Sequence, residues 1–166
     1  ATLTGEADID QFGYSVSISA TGDTIVVGAY GANSDTSYAK VYKNISGTWT
    51  QQGATLTGEA TYDYFGNSVS ISATGDTIVV GAYIANSGRG YVKVYKNISG
   101  TWTQQGATLT GEATNDYFGN SVSISATGDT IVVGAWGANS DTGYVKVYKN
   151  ISATWTQQGA TLTGAA

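Results

Sequence analysis

The chain has 166 residues, enough for one domain with a real core, and it contains no Cys, His, Met or Pro. Disulfides, thiolate nucleophiles, the usual zinc ligands and a histidine general base are therefore excluded. The formal net charge is −5, and its six Lys and one Arg are scattered, which excludes the clustered basic groove of a nucleic-acid binder. No apolar run approaches the roughly 18 residues of a membrane-spanning helix.

Residues 1–53, 54–106 and 107–159 are one 53-residue unit written three times, and residues 160–166 begin a fourth. Of the 53 columns, 42 are identical in all three copies. Self-similarity at this period means a stack or ring of equal supersecondary units, so one unit stands for the whole. The near-identity of the copies and the cut at residues 160–166 suggest very recent amplification or an engineered repeat, and a start at Ala1 without Met is expected of a processed, tag-cleaved or otherwise trimmed product.

In the first copy, Ser15 to Ala20 (SVSISA) alternates Val16, Ile18 and Ala20 with small Ser15, Ser17 and Ser19, which is strand periodicity. Thr21-Gly22-Asp23 makes a tight turn. Thr24 to Ala29 (TIVVGA) is a short continuous apolar run, as in a strand covered on both sides. Residues 31–35 are a loop, and Tyr38 to Lys43 (YAKVYK) alternates again. Asn44 to Gly47 is a turn, and Thr48 to Thr57 is a longer polar strand with Gly53 as a bulge. One unit is thus four antiparallel strands with the smallest side chains innermost and Tyr and Trp outermost. That gradient suits a β-propeller blade, because blades converge at the axis and diverge at the rim.

Phe12-Gly13, Phe65-Gly66 and Phe118-Gly119, each followed by SVSIS and TIVVGA, resemble the FG-GAP repeat of integrin-α-type propellers. The VYK and WTQ segments resemble its bacterial-style version, and the likeness covers the chain three times over. It implies an all-β propeller with blades 1–53, 54–106 and 107–159 in a single unit, residues 160–166 completing or competing for an outer strand. Two departures matter. Tyr30, Tyr83 and Trp136 replace the Pro of GAP, and the family's calcium loop is reduced to ATGDT. One Asp in a tight turn cannot supply the roughly 6–8 oxygens calcium takes, so neither metal nor cofactor is expected.

Three blades leave two apolar faces bare, which soluble monomers rarely tolerate. Closure is therefore expected with a second copy, as a six-bladed homodimer, or with two further copies as a nine-bladed trimer; six lies within the usual range of about four to eight. Ala1–Gly5 and Ala160–Gly164 offer the same strand segment to one junction, so only one is expected to pair there.

Nine of the eleven variable columns fall in the lead-in to the inner strand and in the second-to-third strand connection, which share one face of the ring. Candidate groups there are Asp10, Tyr62, Asp63, Tyr64, Arg89, Asp116, Tyr117 and Trp136, joined by Glu6, Asp8, Asp35 and Asn115. Exposed aromatics beside carboxylates suit sugar stacking and hydroxyl recognition. Asp10, Asp63 and Asp116, two residues before each Phe-Gly, equally suit turn capping, and Glu6, Glu59 and Glu112 could ring a channel mouth. Tyr30, Tyr83 and Trp136 are expected between blades. Asn44, Asn97 and Asn150 open Asn-Ile-Ser sequons, read as turn chemistry, and Lys40 and Lys43 as solvated rim charges covering Tyr rings. The expected role is a non-catalytic, self-assembling repeat scaffold whose partner is itself; the alternative is a glycan- or protein-binding module acting through the variable face.

Overall fold

A computed structural model describes residues 2–31 and 37–165. The first blade forms β1 (Ser15–Ile18), β2 (Thr24–Ala29), β3 (Tyr38–Ile45), β4 (Thr48–Gln51) and β5 (Leu56–Thr57). The second forms β6 (Ser68–Ile71), β7 (Thr77–Ala82), β8 (Tyr91–Ile98), β9 (Thr101–Gln104) and β10 (Leu109–Thr110). The third forms β11 (Ser121–Ile124), β12 (Thr130–Ala135), β13 (Tyr144–Ile151), β14 (Thr154–Gln157) and β15 (Leu162–Thr163). Each set is one antiparallel sheet, and the three sheets stack as propeller blades.

The outer strand differs from expectation. β4 pairs with the far half of β3 (Tyr42↔Gln51) and β5 with its near half (Ala39↔Leu56), so it is two pieces rather than one bulged strand. Gly53, at φ +73, lies where the chain leaves the ladder. Each sheet therefore straddles the written repeat: the first runs from Ser15 to Thr57. β15 occupies the matching edge of β13 (Tyr144↔Thr163), whereas residues 2–5 form no strand.

The expected four-residue turn also shrinks, since Asn44 and Ile45 belong to β3. Ser46 (φ 52) and Gly47 (φ 87) form the two-residue turn, with positive φ at both centres as a type I′ hairpin requires. Asn44 Oδ1 accepts the Gly47 N–H at 2.8 Å, and Asn97 and Asn150 repeat the bond. The second-to-third connection contains a single tight turn at Ala85–Gly88 and at Ala138–Asp141, each with three left-handed residues (Asn86, Ser87 and Gly88; Asn139, Ser140 and Asp141). The corresponding loop of the first copy, with Asp35, lies outside the described residues.

Strand register splits every blade into unlike faces. On one lie Ser15, Ser17, Val26, Gly28, Ala39 and Val41; on the other Val16, Ile18, Val27, Tyr38, Lys40 and Tyr42. The small face of one blade packs against the bulky face of the next. Val26, Ala39, Val41 and Leu56 meet Phe65, Val69, Ile71, Ile78 and Trp102 in one core. Val79, Val92, Val94 and Leu109 meet Phe118, Val122, Ile131 and Trp155 in the second.

Val79 is fully buried in that second core, so Val79→Asp strands a charge there and costs several kcal/mol. The variant is expected to lose its β circular dichroism; a folded protein would contradict the strand assignment. Ala153 stands at φ 66 where the other copies have Gly, so Ala153→Gly is expected to stabilise by about 1 kcal/mol, read from the shift in denaturant midpoint.

Candidate functional site

Each blade carries one polar cluster, built from the segment leading into the inner strand and from the third strand. Asp10 is buried, and its Oδ2 accepts the backbone N–H of Glu6 and Ala7 and the Tyr38 hydroxyl at 2.8, 3.0 and 2.7 Å. Asp63 does the same with Glu59, Ala60 and Tyr91, and Asp116 with Glu112, Ala113 and Tyr144. These three carboxylates are thus occupied in holding backbone amides, as turn caps do.

Lys40 overturns a sequence expectation. Its ammonium is not a solvated rim charge: the residue is buried, its nitrogen lies 5.3 Å from the Tyr38 ring centroid, and it pairs with Glu6. Lys93 and Lys146 repeat this with Glu59 (2.8 Å) and Glu112. Glu6, Glu59 and Glu112 are thereby tied to lysines instead of standing free around a channel. Lys43 fits the expectation better, since it is exposed and 3.9 Å from Asp23. Glu and Lys are 34 residues apart in each pair, and only folding brings the lead-in segment against the third strand.

The variable face also carries an arc of aromatic rings. Tyr14, Tyr30, Tyr64, Tyr83, Tyr117 and Trp136 follow one another with ring centroids 4.3, 5.1, 5.9, 6.0 and 4.8 Å apart. Tyr30–Tyr64 and Tyr83–Tyr117 cross from blade to blade, so two of the three replacements of the Pro in GAP, Tyr30 and Tyr83, pack between blades, and Trp136 does not. Trp136, at the end of the arc, remains half-exposed and stacks on Tyr117. Of the other candidates, Tyr62 and Arg89 are exposed and outside the arc, and Asp8 is exposed.

Backbone strain concentrates on the same face. Ile9, Gln11, Tyr62, Tyr64, Asn115 and Tyr117 all adopt φ between 53 and 64, as do Asn86, Ser87, Asn139 and Ser140. A side chain in this left-handed region costs about 1–2 kcal/mol. Tyr64 and Tyr117 recover some of it in the aromatic arc. Ile9 and Tyr62, 68% and 66% exposed, bury little in return. The opposite face is a repeated tight turn, where Asp23 Oδ1 accepts hydroxyl hydrogen bonds from Thr21, Thr24 and Ser19.

The FG-GAP repeat signature matches residues 3–42, 49–95 and 102–148. The chain belongs to the FG-GAP repeat family. Among solved structures, this FG-GAP chain resembles Saccharomyces cerevisiae Sqt1 (TM-score 0.58, 15% identity, covering 90% of this chain and 35% of that one). It also resembles a candidate 6-phosphogluconolactonase from Bacteroides uniformis (0.62, 12%, covering 90% and 40%) and a candidate TolB from Agrobacterium tumefaciens (0.52, 13%, covering 91% and 47%). At these identities the likeness concerns fold alone, and the FG-GAP chain spans less than half the length of each. No curated protein matches it.

Burial, with the Glu59 charge nearby, pushes the Tyr95 hydroxyl up to about 12, and burial likewise raises Tyr38, Tyr83, Tyr91, Tyr144 and Tyr148. The fold holds these phenols protonated. Their stabilisation is whole below the ordinary tyrosine pKa of about 10; that of Tyr95 is lost as pH climbs through about 12, and that of the others also fades only above the ordinary value. Phenolate absorbance from these six is expected to rise only above the ordinary tyrosine range, together with loss of β structure. A single phase near pH 10 would contradict their burial.

Burial would raise the Asp10 pKa, but hydrogen bonds from Tyr38, Ala7 and Glu6 and the Lys40 charge outweigh it and lower the value. Its contribution is therefore present above the unfolded carboxylate pKa of about 4 and fades as pH falls below that.

Proposed function

We propose that this FG-GAP chain is a non-catalytic propeller segment that assembles head to tail with a second copy of itself into a six-bladed ring. The reading rests on one observation: its two open faces carry complementary halves of the junction already made twice inside the chain. In each internal junction the Ser of the inner strand donates to the carbonyl of the next blade's Phe-Gly (Ser15 Oγ to Gly66 O and Ser68 Oγ to Gly119 O, both 2.6 Å). The inner-turn amide donates to its counterpart (Ala20 N to Ala73 O and Ala73 N to Ala126 O, both 3.1 Å). At the rim the next blade's indole donates back (Trp102 Nε1 to Gln52 O at 3.0 Å, Trp155 Nε1 to Gln105 O at 2.8 Å).

The first blade presents the Gly13 and Ala20 carbonyls and the Trp49 indole, unmatched among the described residues; the third presents Ser121, the Ala126 amide and the Gln158 carbonyl. Apolar surface matches as well. Val16 and Ile18 are exposed on the first blade, and Val132 and Leu162 on the third. A groove of about 470 Å³, lined by Ser121, Gly134, Tyr144, Val145 and Leu162, stands where a following blade would insert its Phe-Gly. Such a heterologous contact yields a ring when its rotation closes. Leu162–Thr163 holds the edge that Leu3–Thr4 of the second copy would otherwise take.

Light scattering is expected to give twice the 17.1 kDa chain mass. A Cβ on Gly134 would occupy the site of the incoming carbonyl, so Gly134→Ala should give a folded 17.1 kDa monomer. Gly81→Ala places the same atom 2.1 Å from Gly119 O inside the chain and should lower thermal stability instead. A monomeric parent chain would overturn the assembly.

The alternative, a ligand-binding module, is favoured by a separate observation: strained, exposed side chains on the variable face.

A further inference from the structure

We propose that the second blade carries a binding cleft for one neutral sugar ring, formed between the lead-in to β6 and the β7–β8 connection. This rests on reading the variable face as a binding surface and is independent of ring closure, because every residue lining the cleft belongs to this one blade.

The cleft encloses about 220 Å³, less than the roughly 300–1,000 Å³ of drug-sized pockets, and is lined by Glu59, Thr61, Tyr62, Ile84, Asn86 and Ser87 among others. Two features single it out among the three copies. Tyr62 replaces Ile9 and Asn115 at its column, and Ile84 replaces Gly31 and Gly137 at its own. These two variable columns line one cleft, so this blade alone has both an aromatic platform and an apolar wall.

The aromatic platform is not part of the fold's packing. Tyr62 holds φ 62, is largely exposed, and touches no other aromatic ring among the described residues. Asn86 (φ 53) and Ser87 (φ 60) are held left-handed and exposed at the cleft, with no side-chain hydrogen bond among the described residues.

Charge selects the ligand class. Glu59 is paired with Lys93 at 2.8 Å, and Asp63 is occupied by the Tyr91 hydroxyl and the amides of Glu59, Ala60 and Phe65. Neither carboxylate is left for a cation, and no free ammonium lines the cleft to attract an anion. The remaining chemistry is a ring face, an apolar wall, an amide and hydroxyls. A pyranose matches it: C–H groups lie on Tyr62, while vicinal hydroxyls meet the Asn86 amide and the Thr61 and Ser87 hydroxyls.

Glucose, galactose, mannose and N-acetylglucosamine are titrated separately while backbone amide resonances are followed by nuclear magnetic resonance. Saturable shifts at Tyr62, Asn86 and Ser87 are expected with at least one sugar, and Tyr62→Ala should weaken that sugar at least about tenfold. Tyr62→Gly should abolish binding yet raise the thermal midpoint, since it relieves the left-handed strain and removes no packed ring. The monomeric Gly134→Ala variant should bind as the parent does, which separates this site from assembly. Absence of shifts with all four sugars, unchanged affinity in Tyr62→Ala, or a lowered midpoint in Tyr62→Gly would each overturn the proposal.

Discussion

The structure depends on the contact of one glycine with another across each blade junction. A Cβ on Gly28 would lie 1.9 Å from Gly66 O, and one on Gly81 would lie 2.1 Å from Gly119 O. Backbone meets backbone there, and the inner-strand Ser closes the contact with its hydroxyl. Any larger side chain would push the blades apart along their whole length and open the apolar cores packed behind the contact. The small residues of the inner strands, the Phe-Gly pair and the Gly of TIVVGA are thus parts of one device. Phe65 and Phe118 are fully buried beside it, anchoring the loop that delivers the carbonyl.

That device has a direction, which gives the segment unlike ends. One end offers a carbonyl on a projecting loop, and the other a groove with a hydroxyl at its base. Repeat arrays in general hold each unit by its neighbours, so a terminal unit stays incomplete unless something covers it. Burial follows the same logic: Val69 and Ile71 of the middle blade are buried, whereas Val16 and Ile18 of the first are exposed with identical neighbours in sequence.

The two rims of the blades are used differently. One rim repeats a small set of turns in which Asn44, Asp23 and their counterparts saturate nearby amides and hydroxyls. The other rim holds almost all the sequence variation and most of the left-handed non-glycine residues. Bulky side chains at such positions lower stability, and exposed ones recover little by packing. Keeping them there costs stability, which is the observation behind the binding surface proposed above. The polar clusters around Asp10, Asp63 and Asp116 brace this rim against the third strands.

Much of the fold was legible in the sequence because its signals are local or repeated. The 53-residue period fixed the number of units, alternation in SVSI and YAKVYK marked strands, and Gly with Asn or Asp marked turns. Asp10, Asp63 and Asp116, two residues before each Phe-Gly, were legible as caps because a short carboxylate beside a turn reaches nearby amides, but the same residues also fitted a ligand site. The broken outer strand escaped, since pairing of both TWTQ and LT with one long neighbour depends on that neighbour's length. The buried Lys40 escaped too, because its Glu partner lies 34 residues upstream and periodicity cannot reveal such a contact.

Tertiary structure alone decided which face of each strand meets which neighbour. It also gathered aromatic residues from three blades into one arc, and placed Tyr62 and Ile84, far apart in the chain, around one cleft. The sequence by itself determined the blade and its count, since those follow from backbone geometry and local side-chain size. Sites that draw on several strands or several blades depend on how those pieces pack together, which no single stretch of residues encodes.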